Sequence, residues 1–256
     1  MNKIVFTASI VIYRENIDVL KKTIQCFLDI PLQKKLFLID NTPDKSFDGL
    51  FQNSQIEYIP VGKNIGFGSG HNKIISKIKN LSDFHLILNP DVFFKPGVIN
   101  ELICQLQSDE TIAMIAPKVL FLDGTHQYSC RRYPKMLELI GRRFPLIKPF
   151  IKGIIQQGEY RDKNLNEAFY AEYLTGCFQL YKTNDFVDLG GFDERYFLYM
   201  EDVDICKKID LIGKRKLYYP KVSINHILKQ GSLRVINLFF RHVFSAIKYY
   251  RKWGIS

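Results

Sequence analysis

The chain has 256 residues, of which 46% are hydrophobic and 24% are charged, and its formal net charge is +10 at pH 7. These are ordinary globular values, and no stretch approaches the roughly 18 uninterrupted apolar residues of a membrane span. The five cysteines are odd in number and form no C-x-x-C pair, which argues against a disulfide framework and a zinc ribbon. The positive charge favours an anionic partner, and nucleic acid, anionic lipid and phosphorylated ligands all qualify.

Apolar runs alternate with amphipathic segments in the first half of the chain. The runs predict four strands, at residues 4–12, 35–40, 56–61 and 85–89. Apolar residues at helical spacing follow the first strand, at 17–28, and a helix is predicted at about 70–79. Strands separated by helices are typical of a mostly parallel sheet, in which ligands collect beyond the carboxyl ends of the strands.

Polar clusters follow three of these strands. Asp40 and Asn41 close the second strand, residues 64–72 follow the third, and Asn89-Pro90-Asp91 closes the fourth. Because the carboxyl ends of parallel strands meet at one edge of a sheet, we expect all three clusters to line that edge.

A glycine-rich loop, "VGKNIGFGSGHN" at residues 61–72, leads into the predicted helix. Such loops often hold phosphate, since backbone N–H groups and the positive end of a helix both favour an anion. The spacing Gly66-x-Gly68-x-Gly70 matches neither G-x-G-x-x-G nor the P-loop, and the loop follows the third strand, not the first. A nicotinamide site is therefore disfavoured, and a tight turn without a ligand remains the alternative.

Asp91 stands in "LILNPDVFF", beyond a proline at the end of a buried strand. An oxygen-rich strand end suits Mg²⁺ or Mn²⁺ bridging substrate phosphates, whereas the simpler interpretation is a turn capped by the acid. His226 follows an extended segment and precedes a glycine turn. A lone histidine is more often a satisfied structural residue than a ligand.

The second half is less regular, with extended segments at 112–122 and 168–181. Between them lies a basic stretch, 131–153, with a short helix predicted at 135–143. Another helix is predicted at 203–212, and three acids fall where it begins: Glu201, Asp202 and Asp204. Acids in a first turn often only complement the helix dipole, but three acids exceed what capping requires. They also stand beside an aromatic cluster, formed by Phe192, Tyr196, Phe197 and Tyr199.

The last segment, 233–253, predicts an amphipathic helix with apolar residues on one side and basic residues largely opposite. Such a helix can lie in a membrane interface. The alternative is an ordinary helix that packs its apolar side on the domain and leaves a solvated basic face.

Together these segments resemble the family-2 glycosyltransferases of GT-A fold, and within them the bacterial rhamnosyltransferase-like branch. The matching pieces run in order along nearly the whole chain: "SIVIY", "IDNTPD", "NIGFGSGHN", "LNPDV", "APKVLFLDGTHQYSCRRYP", "TGCFQLYK", "GGFDERYFLYMEDVDIC" and "NHILKQGS". The resemblance implies an α/β GT-A fold, with a mostly parallel central sheet flanked by helices. It implies one catalytic domain at 1–232, with a nucleotide-sugar half at 1–95, an acceptor half at 96–232 and a helical tail at 233–256.

The resemblance also implies roles for individual residues. Asp202 falls on the general base, and Asp91 and His226 fall on metal-binding positions for Mg²⁺ or Mn²⁺. The implied donor-binding residues are Asp40, Asn64, Gly66, Phe67, Gly68, Gly70, His71, Asn72, Asn89, Arg131 and Arg132. The implied acceptor-side residues are Glu201, Asp204, Tyr199 and Gly176.

By this resemblance the glycines would let backbone approach a nucleotide-sugar, while Asn64, His71 and Asn72 would offer hydrogen bonds. A helix N-terminus would favour the charged form of Asp202. Three positions depart from the family pattern: Asn89 replaces the first acid of the D-x-D motif, Arg14 stands where Asn is common, and Lys208 stands where Arg is common. The first departure leaves the need for a metal open.

The implied activity is inverting transfer of L-rhamnose from dTDP-rhamnose to a glycan on a polyprenyl diphosphate, at the cytoplasmic face of an anionic membrane. UDP-linked hexoses or galactofuranose are alternative donors, and a non-catalytic nucleotide-sugar-binding protein is an alternative function. A glycosidase would need two carboxyls flanking the bond. No helix-turn-helix, RNA-recognition or zinc-finger pattern accompanies the basic residues, so we expect no nucleic-acid partner.

Overall fold

The structure, a computed structural model, describes residues 5–44, 47–141, 149–227 and 236–254. The strands are β1 (Phe6–Ile12), β2 (Lys34–Asp40), β3 (Ile56–Pro60), β4 (Phe84–Leu88), β5 (Val92–Phe93), β6 (Ile112–Leu120), β7 (Cys130–Arg131), β8 (Phe169–Tyr170), β9 (Tyr173–Leu174), β10 (Phe178–Lys182) and β11 (Arg215–His226). The helices are α1 (Ile17–Leu28), α2 (Phe67–Asn72), α3 (Ile75–Ile78), α4 (Gly97–Ser108), α5 (Met136–Gly141), α6 (Lys152–Gly158), α7 (Thr183–Asp188), α8 (Glu201–Leu211) and α9 (Ile236–Trp253).

Nine of these strands form one mixed sheet in the order β3-β2-β1-β4-β10-β6-β11-β5, with β8 paired to β11. The first four strands are mutually parallel, as the sequence predicts. The central β10 runs antiparallel to both of its neighbours, and β6 and β11 are parallel. The prediction of a mostly parallel sheet is therefore confirmed, and every antiparallel pair in this sheet includes β10 or β11, from the second half of the chain.

Two apolar clusters cover the two faces of the sheet. Alternate residues of β2 divide between them, Leu36 and Leu38 facing one cluster, Phe37 and Ile39 the other. Helices α1 and α4 pack in the first cluster, and helices α7 and α8 in the second. Burial on both faces explains why the strands of the first half are nearly continuous apolar runs.

Several predicted elements differ in extent from the observed ones. The helix predicted at 70–79 begins earlier and is broken into α2 and α3, and two glycines within α2 weaken its helical preference. The extended segment predicted at 168–181 is three short strands, β8, β9 and β10. Residues 142 and 143 of the predicted short helix, residues 233–235 of the last helix and the boundary at residue 232 lie outside the described residues.

Candidate active site

Asp91 and His226 form a buried pair beyond the sheet edge. β11 pairs with β5 so that His226 lies opposite Val92, which places its ring next to the turn that follows β4. The Asp91 Oδ1 and His226 Nε2 atoms are 3.4 Å apart, and the Asn89 side-chain nitrogen is 3.4 Å from the same ring nitrogen. The three residues therefore converge, as predicted from positions far apart in sequence.

Gln127 holds the His226 ring from the other side. Its Oε1 atom is 3.0 Å from His226 Nδ1, and its side-chain amide donates to the His226 carbonyl at 2.6 Å. Burial opposes a charge on the ring, but the neighbouring Cys177 and Asp91 outweigh it and raise the pKa of His226 to about 10. Gln127 thus fixes the orientation of a ring that the Asp91 carboxylate stabilises in its charged form.

The Asp91–His226 pair has a spacing that suits a divalent cation. Two ligand atoms at right angles, each about 2.0–2.2 Å from an ion, lie about 3 Å apart, close to the observed 3.4 Å separation. Within the described ranges no group of three or more His, Cys, Asp or Glu residues could hold a metal ion. The residues fit an ion held partly by the protein and partly by phosphate and water, with Asn89 able to turn its amide oxygen inward. His226 would have to release its ring proton to the solvent to become a ligand, because only the neutral imidazole binds a metal ion.

Asp202 lies in the first turn of α8 and keeps part of its side chain exposed. Its two oxygens accept hydrogen bonds from backbone N–H groups, Oδ2 from Gly176 at 3.1 Å and Oδ1 from Val203 at 2.9 Å. Burial nevertheless raises the pKa of Asp202 above its usual value, and these N–H donors offset only part of that effect. The backbone N–H groups at the helix terminus favour the charged form of Asp202, as expected, but desolvation is the larger effect on its pKa.

Two residues with left-handed backbone conformation precede this helix. Tyr199 has φ of 68° and Met200 has φ of 71°. Non-glycine residues rarely adopt this conformation, and such strain is concentrated at functional sites. Here it turns the chain sharply, so that the first acids of α8 face inward.

Glu201 is buried, and its Oε2 atom has no hydrogen-bond partner. Burial, together with the neighbouring Asp202 carboxylate, raises the pKa of Glu201 to about 8. A neutral Glu201 beside a partly exposed Asp202 leaves one carboxylate of the pair free to carry the charge.

A cavity of about 200 Å³ adjoins these two acids. Its wall includes the predicted site residues Arg131 and Tyr199 as well as Tyr173 and His242. The lining is mixed, with a guanidinium, carboxyls, aromatic rings and aliphatic side chains. Such a lining suits a polar ligand with apolar faces, as a sugar ring has.

The loop that contains Gly176 joins the two parts of the site. The Gly176 N–H donates a hydrogen bond to the Asp202 carboxylate. The carbonyl of the next residue, Cys177, accepts a hydrogen bond from the backbone N–H of Asn89 at 2.9 Å. The acids at positions 91 and 202 are thus linked through two consecutive residues, not separated by the body of the protein.

The glycines of the 61–72 loop make room for the protein's own chain. A Cβ atom at Gly66 would lie 2.2 Å from the Phe197 carbonyl oxygen, and one at Gly68 would lie 2.8 Å from Phe192 Cβ. A Cβ atom at Gly70 would meet a Val11 methyl at 2.7 Å. The glycines therefore let the loop pack against the 192–201 segment and β1. The approach of a nucleotide-sugar to their backbone stays a prediction.

His71 and Asn72 also bind within the protein. The His71 ring is fully buried, with Nδ1 at 2.7 Å from Ser9 Oγ, and burial holds its pKa well below the usual value. The Asn72 side chain forms hydrogen bonds with the N–H and the carbonyl of Phe192, at 3.0 and 2.8 Å. These contacts give both side chains a structural role, and their predicted role as hydrogen-bonding partners of the donor stays a prediction.

Asp204 and Arg132 are likewise engaged elsewhere. Asp204 is fully buried and accepts hydrogen bonds from the α9 side chains Lys252 and Trp253, at 2.8 and 2.7 Å, so it is not an acceptor-side residue. Arg132 forms a two-point pair with Asp162, at 2.8 and 2.7 Å, which occupies its guanidinium.

The remaining predicted donor residues lie in the 61–72 loop or next to it. Asp40 is buried and accepts from the Thr42 amide and the Tyr58 hydroxyl. Asn64 accepts from the Gly66 amide at 3.0 Å and so shapes the turn. Phe67 packs edge-on against His71, and one edge of its ring lies 3.5 Å from the position of a Cβ atom at Gly176.

Gln127 and His242 are site residues that the sequence did not single out. Gln127 lies in the "DGTHQYSCRRYP" motif, so its place in the motif was the signal, although its contact with His226 was not evident. His242 is one residue in an amphipathic helix, and no sequence pattern distinguishes it. Its place in the cavity wall depends on how α9 docks.

Comparison with known proteins relates the chain to two named rhamnosyltransferases. No family model matches the chain. An N-acetylglucosaminyl-diphospho-decaprenol L-rhamnosyltransferase of Mycobacterium tuberculosis is 27% identical over 197 residues, which is 73% of this chain and 62% of that protein. The chain therefore spans less than two thirds of this relative. Rhamnosyltransferase WbbL of Escherichia coli is 27% identical over 246 residues, 91% of this chain and 88% of that protein.

Two solved structures share the fold. GalNAc-T7 with UDP, GalNAc and Mn²⁺ superposes with a TM-score of 0.68 at 16% identity, over 89% of this chain and 44% of that one. TarS of Staphylococcus aureus, residues 1–349, superposes with a TM-score of 0.59 at 12% identity, over 87% and 60%. The protein has the GT-A glycosyltransferase fold. Within that class, it is rhamnosyltransferase-like in sequence.

Proposed function

We propose that the protein is an inverting glycosyltransferase that moves a sugar from a nucleotide-sugar to a hydroxyl of a glycan. The observation that carries this proposal is the link between the Asp202 carboxylate and the Asp91–His226 pair through residues 176 and 177. A transferase of this type needs one base on the acceptor side and one group that holds a diphosphate on the donor side. The loop that contains residues 176 and 177 contacts both the proposed base and the proposed diphosphate-binding group.

Asp202 is the proposed base. Its partial exposure and its place beside the cavity let it reach an acceptor hydroxyl, and its raised pKa makes it a stronger base than an exposed carboxylate. The N–H groups of Gly176 and Val203 orient the carboxylate. Glu201 beside it stays protonated over part of the neutral range, which spares the site a second negative charge.

Asp91, His226 and Asn89 are the proposed residues that hold a divalent cation with the donor diphosphate. When bound, the ion would neutralise charge on the leaving diphosphate. GalNAc-T7, which has the same fold, is described with Mn²⁺. The protein's own contribution is a buried pair whose geometry Gln127 fixes.

We propose dTDP-rhamnose as the donor, because two relatives that match different lengths of the chain are both named rhamnosyltransferases. Inversion would convert the β-linked donor into an α-rhamnoside. UDP-linked hexoses and galactofuranose are the competing donors. Thermal shift with a panel of these nucleotide-sugars, with and without Mn²⁺, would identify the donor. Of the sugars in the panel, only dTDP-rhamnose should raise the melting temperature. A larger rise with a UDP-sugar would reject the assignment.

The proposed acceptor is a glycan on a polyprenyl diphosphate at the inner face of an anionic cell membrane. The Mycobacterium tuberculosis relative is named for a decaprenol-linked acceptor. The net charge of +10 complements an anionic lipid surface. In the part of the chain that the structure describes, no helix is long and apolar enough to cross a membrane.

The activity is tested by rhamnose transfer to a soluble analogue of the lipid-linked acceptor. Asp202→Asn should lower kcat by at least about a hundredfold while retaining donor binding, because only proton removal is lost. Asp188→Asn, an exposed acid outside the site, is the matched control and should behave as wild type. Unchanged turnover in Asp202→Asn would refute the assigned base, and donor binding without any transfer by the wild type would favour a non-catalytic binding protein.

A further inference from the structure

Helix α9 docks on the domain through its less apolar side. Ser245 and Tyr249 are the buried residues of its centre, and the Ser245 hydroxyl donates to the Leu198 carbonyl at 2.9 Å. At its end, Trp253 Nε1 donates to Asp204 Oδ1 at 2.7 Å. Hydrogen bonds, an ion pair and the packing of Tyr249, Tyr250 and Trp253 therefore contribute to the attachment of this helix.

The apolar side of α9 faces outward. Phe240 is 50% exposed, Val243 38%, Phe244 60% and Ile247 43%. These residues are spaced at i, i+3, i+4 and i+7, so they form one continuous stripe on a helix. The alternative that α9 is an ordinary helix with its apolar side packed on the domain is therefore wrong for these four residues, which we call the α9 stripe.

Basic residues border this stripe. At 100° per residue, Arg241 and Lys248 lie between the stripe and the docked side, and Arg251 falls on the stripe side itself. Contacts hold two of them in place: the Arg241 guanidinium stacks 3.6 Å from the Phe197 ring, and Lys248 Nζ donates to the Arg195 carbonyl at 2.6 Å. The helix thus presents an apolar centre with a cationic edge.

We infer that the α9 stripe is the surface with which the protein inserts into the interface of an anionic bilayer. Phenylalanine and aliphatic side chains would enter the acyl boundary, while the cationic edge would meet anionic headgroups. The proposed function already includes association with an anionic membrane, and the inference rests on that proposal. It assigns that association to four named side chains.

The size of the stripe favours a bilayer over a second copy of the chain. Four side chains that are about half exposed offer on the order of 300–400 Å², since a whole aromatic side chain presents about 150–250 Å². A standard protein interface buries about 800 Å² from each partner. A narrow stripe with a cationic border fits shallow insertion into lipid better than a stable dimer.

The opposite side of the same helix reaches the candidate active site. His242 lies in the cavity wall, with its ring centre 4.9 Å from that of Tyr199. One helix diameter, about 10–12 Å, therefore separates the stripe from the cavity. Docking through the stripe would hold the cavity and Asp202 close to the lipid surface, where a polyprenyl-linked acceptor presents its sugar.

Vesicle sedimentation tests the inference, with vesicles of phosphatidylglycerol and phosphatidylcholine compared with phosphatidylcholine alone. The wild type should bind the anionic vesicles and bind less to the neutral ones. Phe240→Ser with Phe244→Ser should lower the partition coefficient by about tenfold or more, because two inserted aromatic rings are lost. Leu211→Ser removes an apolar side chain on α8 that is more exposed, at 75%, than either phenylalanine, and it should bind as wild type.

Equal binding by the double variant, or no binding by the wild type, would overturn the inference. A dimer of the wild type in lipid-free buffer that dissociates in the double variant, measured by sedimentation velocity, would reassign the stripe to a second copy. Vesicle binding needs no nucleotide-sugar, so a protein that binds vesicles but transfers no sugar would reject the proposed function and leave the inference standing. Unchanged melting temperature and unchanged transfer to the soluble acceptor would show that the double variant is folded.

Discussion

Gly176 and Asp202 are joined by a hydrogen bond of 3.1 Å from the glycine amide to the carboxylate. The residue after Gly176 accepts a hydrogen bond from Asn89, so the same loop contacts the proposed base and the proposed cation site. Two consecutive residues therefore connect the acceptor side to the donor side. This relationship makes the geometry of residues 176 and 177 a sensitive point for activity.

Substituting Gly176 should impair catalysis through Asp202. A Cβ atom at Gly176 would lie 3.4 Å from Asp202 Cβ and 3.5 Å from the Phe67 ring, so Ala is nearly tolerated while the branches of Val must displace the carboxylate. We expect Gly176→Val to lower kcat by about a hundredfold, since a displacement near 1 Å at a reacting group has that effect. Gly97→Val, whose added side chain meets open space, is the control for steady-state kinetics. Equal rates for the two variants would show that the Gly176 contact does not position the base.

Removing the Asp91 carboxylate should weaken binding of the cation. Asp91→Asn keeps the size of the side chain but loses its charge beside His226, and we expect the affinity for Mn²⁺ in the presence of dTDP to fall at least about tenfold. The measurement is free Mn²⁺ by electron paramagnetic resonance, with Asp188→Asn as the control. An unchanged affinity in Asp91→Asn would place any ion elsewhere.

Glu201 should make the protein less stable as the pH rises. Burial and the Asp202 charge raise its pKa to about 8 from an ordinary 4.5, so between these values the folded state holds more protons than the unfolded one. The stabilising effect of this group is therefore fully present below about pH 4.5 and is lost as the pH rises through about 8.

Glu201→Gln cannot ionise, so its melting temperature relative to wild type should rise progressively from about pH 4.5 to about pH 8 and stay level above that. The exposed Glu110→Gln should show no such trend, because its carboxyl is solvated in both states. Differential scanning calorimetry across this range measures both differences. A constant difference for Glu201→Gln would mean that the buried carboxyl is charged throughout.

Ser9 should contribute to stability by linking two buried histidines. Its hydroxyl lies 2.7 Å from His71 Nδ1 and 3.0 Å from His85 Nε2, which joins α2 to β4 beneath the glycine loop. Ser9→Ala leaves both ring nitrogens without this partner, and we expect the free energy of unfolding to fall by about 1–3 kcal/mol. Ser108→Ala, at an exposed helix end, should change it by less than about 0.5 kcal/mol in the same urea titration. A loss as small as the control's would mean that the histidines find other partners.

The sequence predicted the first four strands and most helices within a few residues, because local periodicity reports which residues face a core. It also predicted that Asp91 and His226 would meet, and they do, at 3.4 Å. That prediction depended on the resemblance to glycosyltransferases, since nothing in the two local sequences relates positions 135 residues apart. The roles of Asp202, Asp91 and His226 in catalysis and metal binding stay predictions.

The sequence by itself determined that the 61–72 loop needed glycines, but not what would fill the space they leave. Phe192, Phe197 and Val11 fill it, and only the packing of distant segments could bring them there. The protonation of Asp202 and Glu201 was decided in the same way, because desolvation depends on the surrounding side chains and not on position along a helix.

Which side of α9 packs against the domain was also determined only by the tertiary structure. Periodicity along the chain defined an apolar side and a basic side, but a helical pattern does not state which side meets the domain. Asp204 is a buried carboxylate that needs donors, and Lys252 and Trp253 supply them from the end of α9. Because leaving a buried charge unpaired costs more than exposing a stripe of apolar side chains, these contacts turn Phe240 and Phe244 outward.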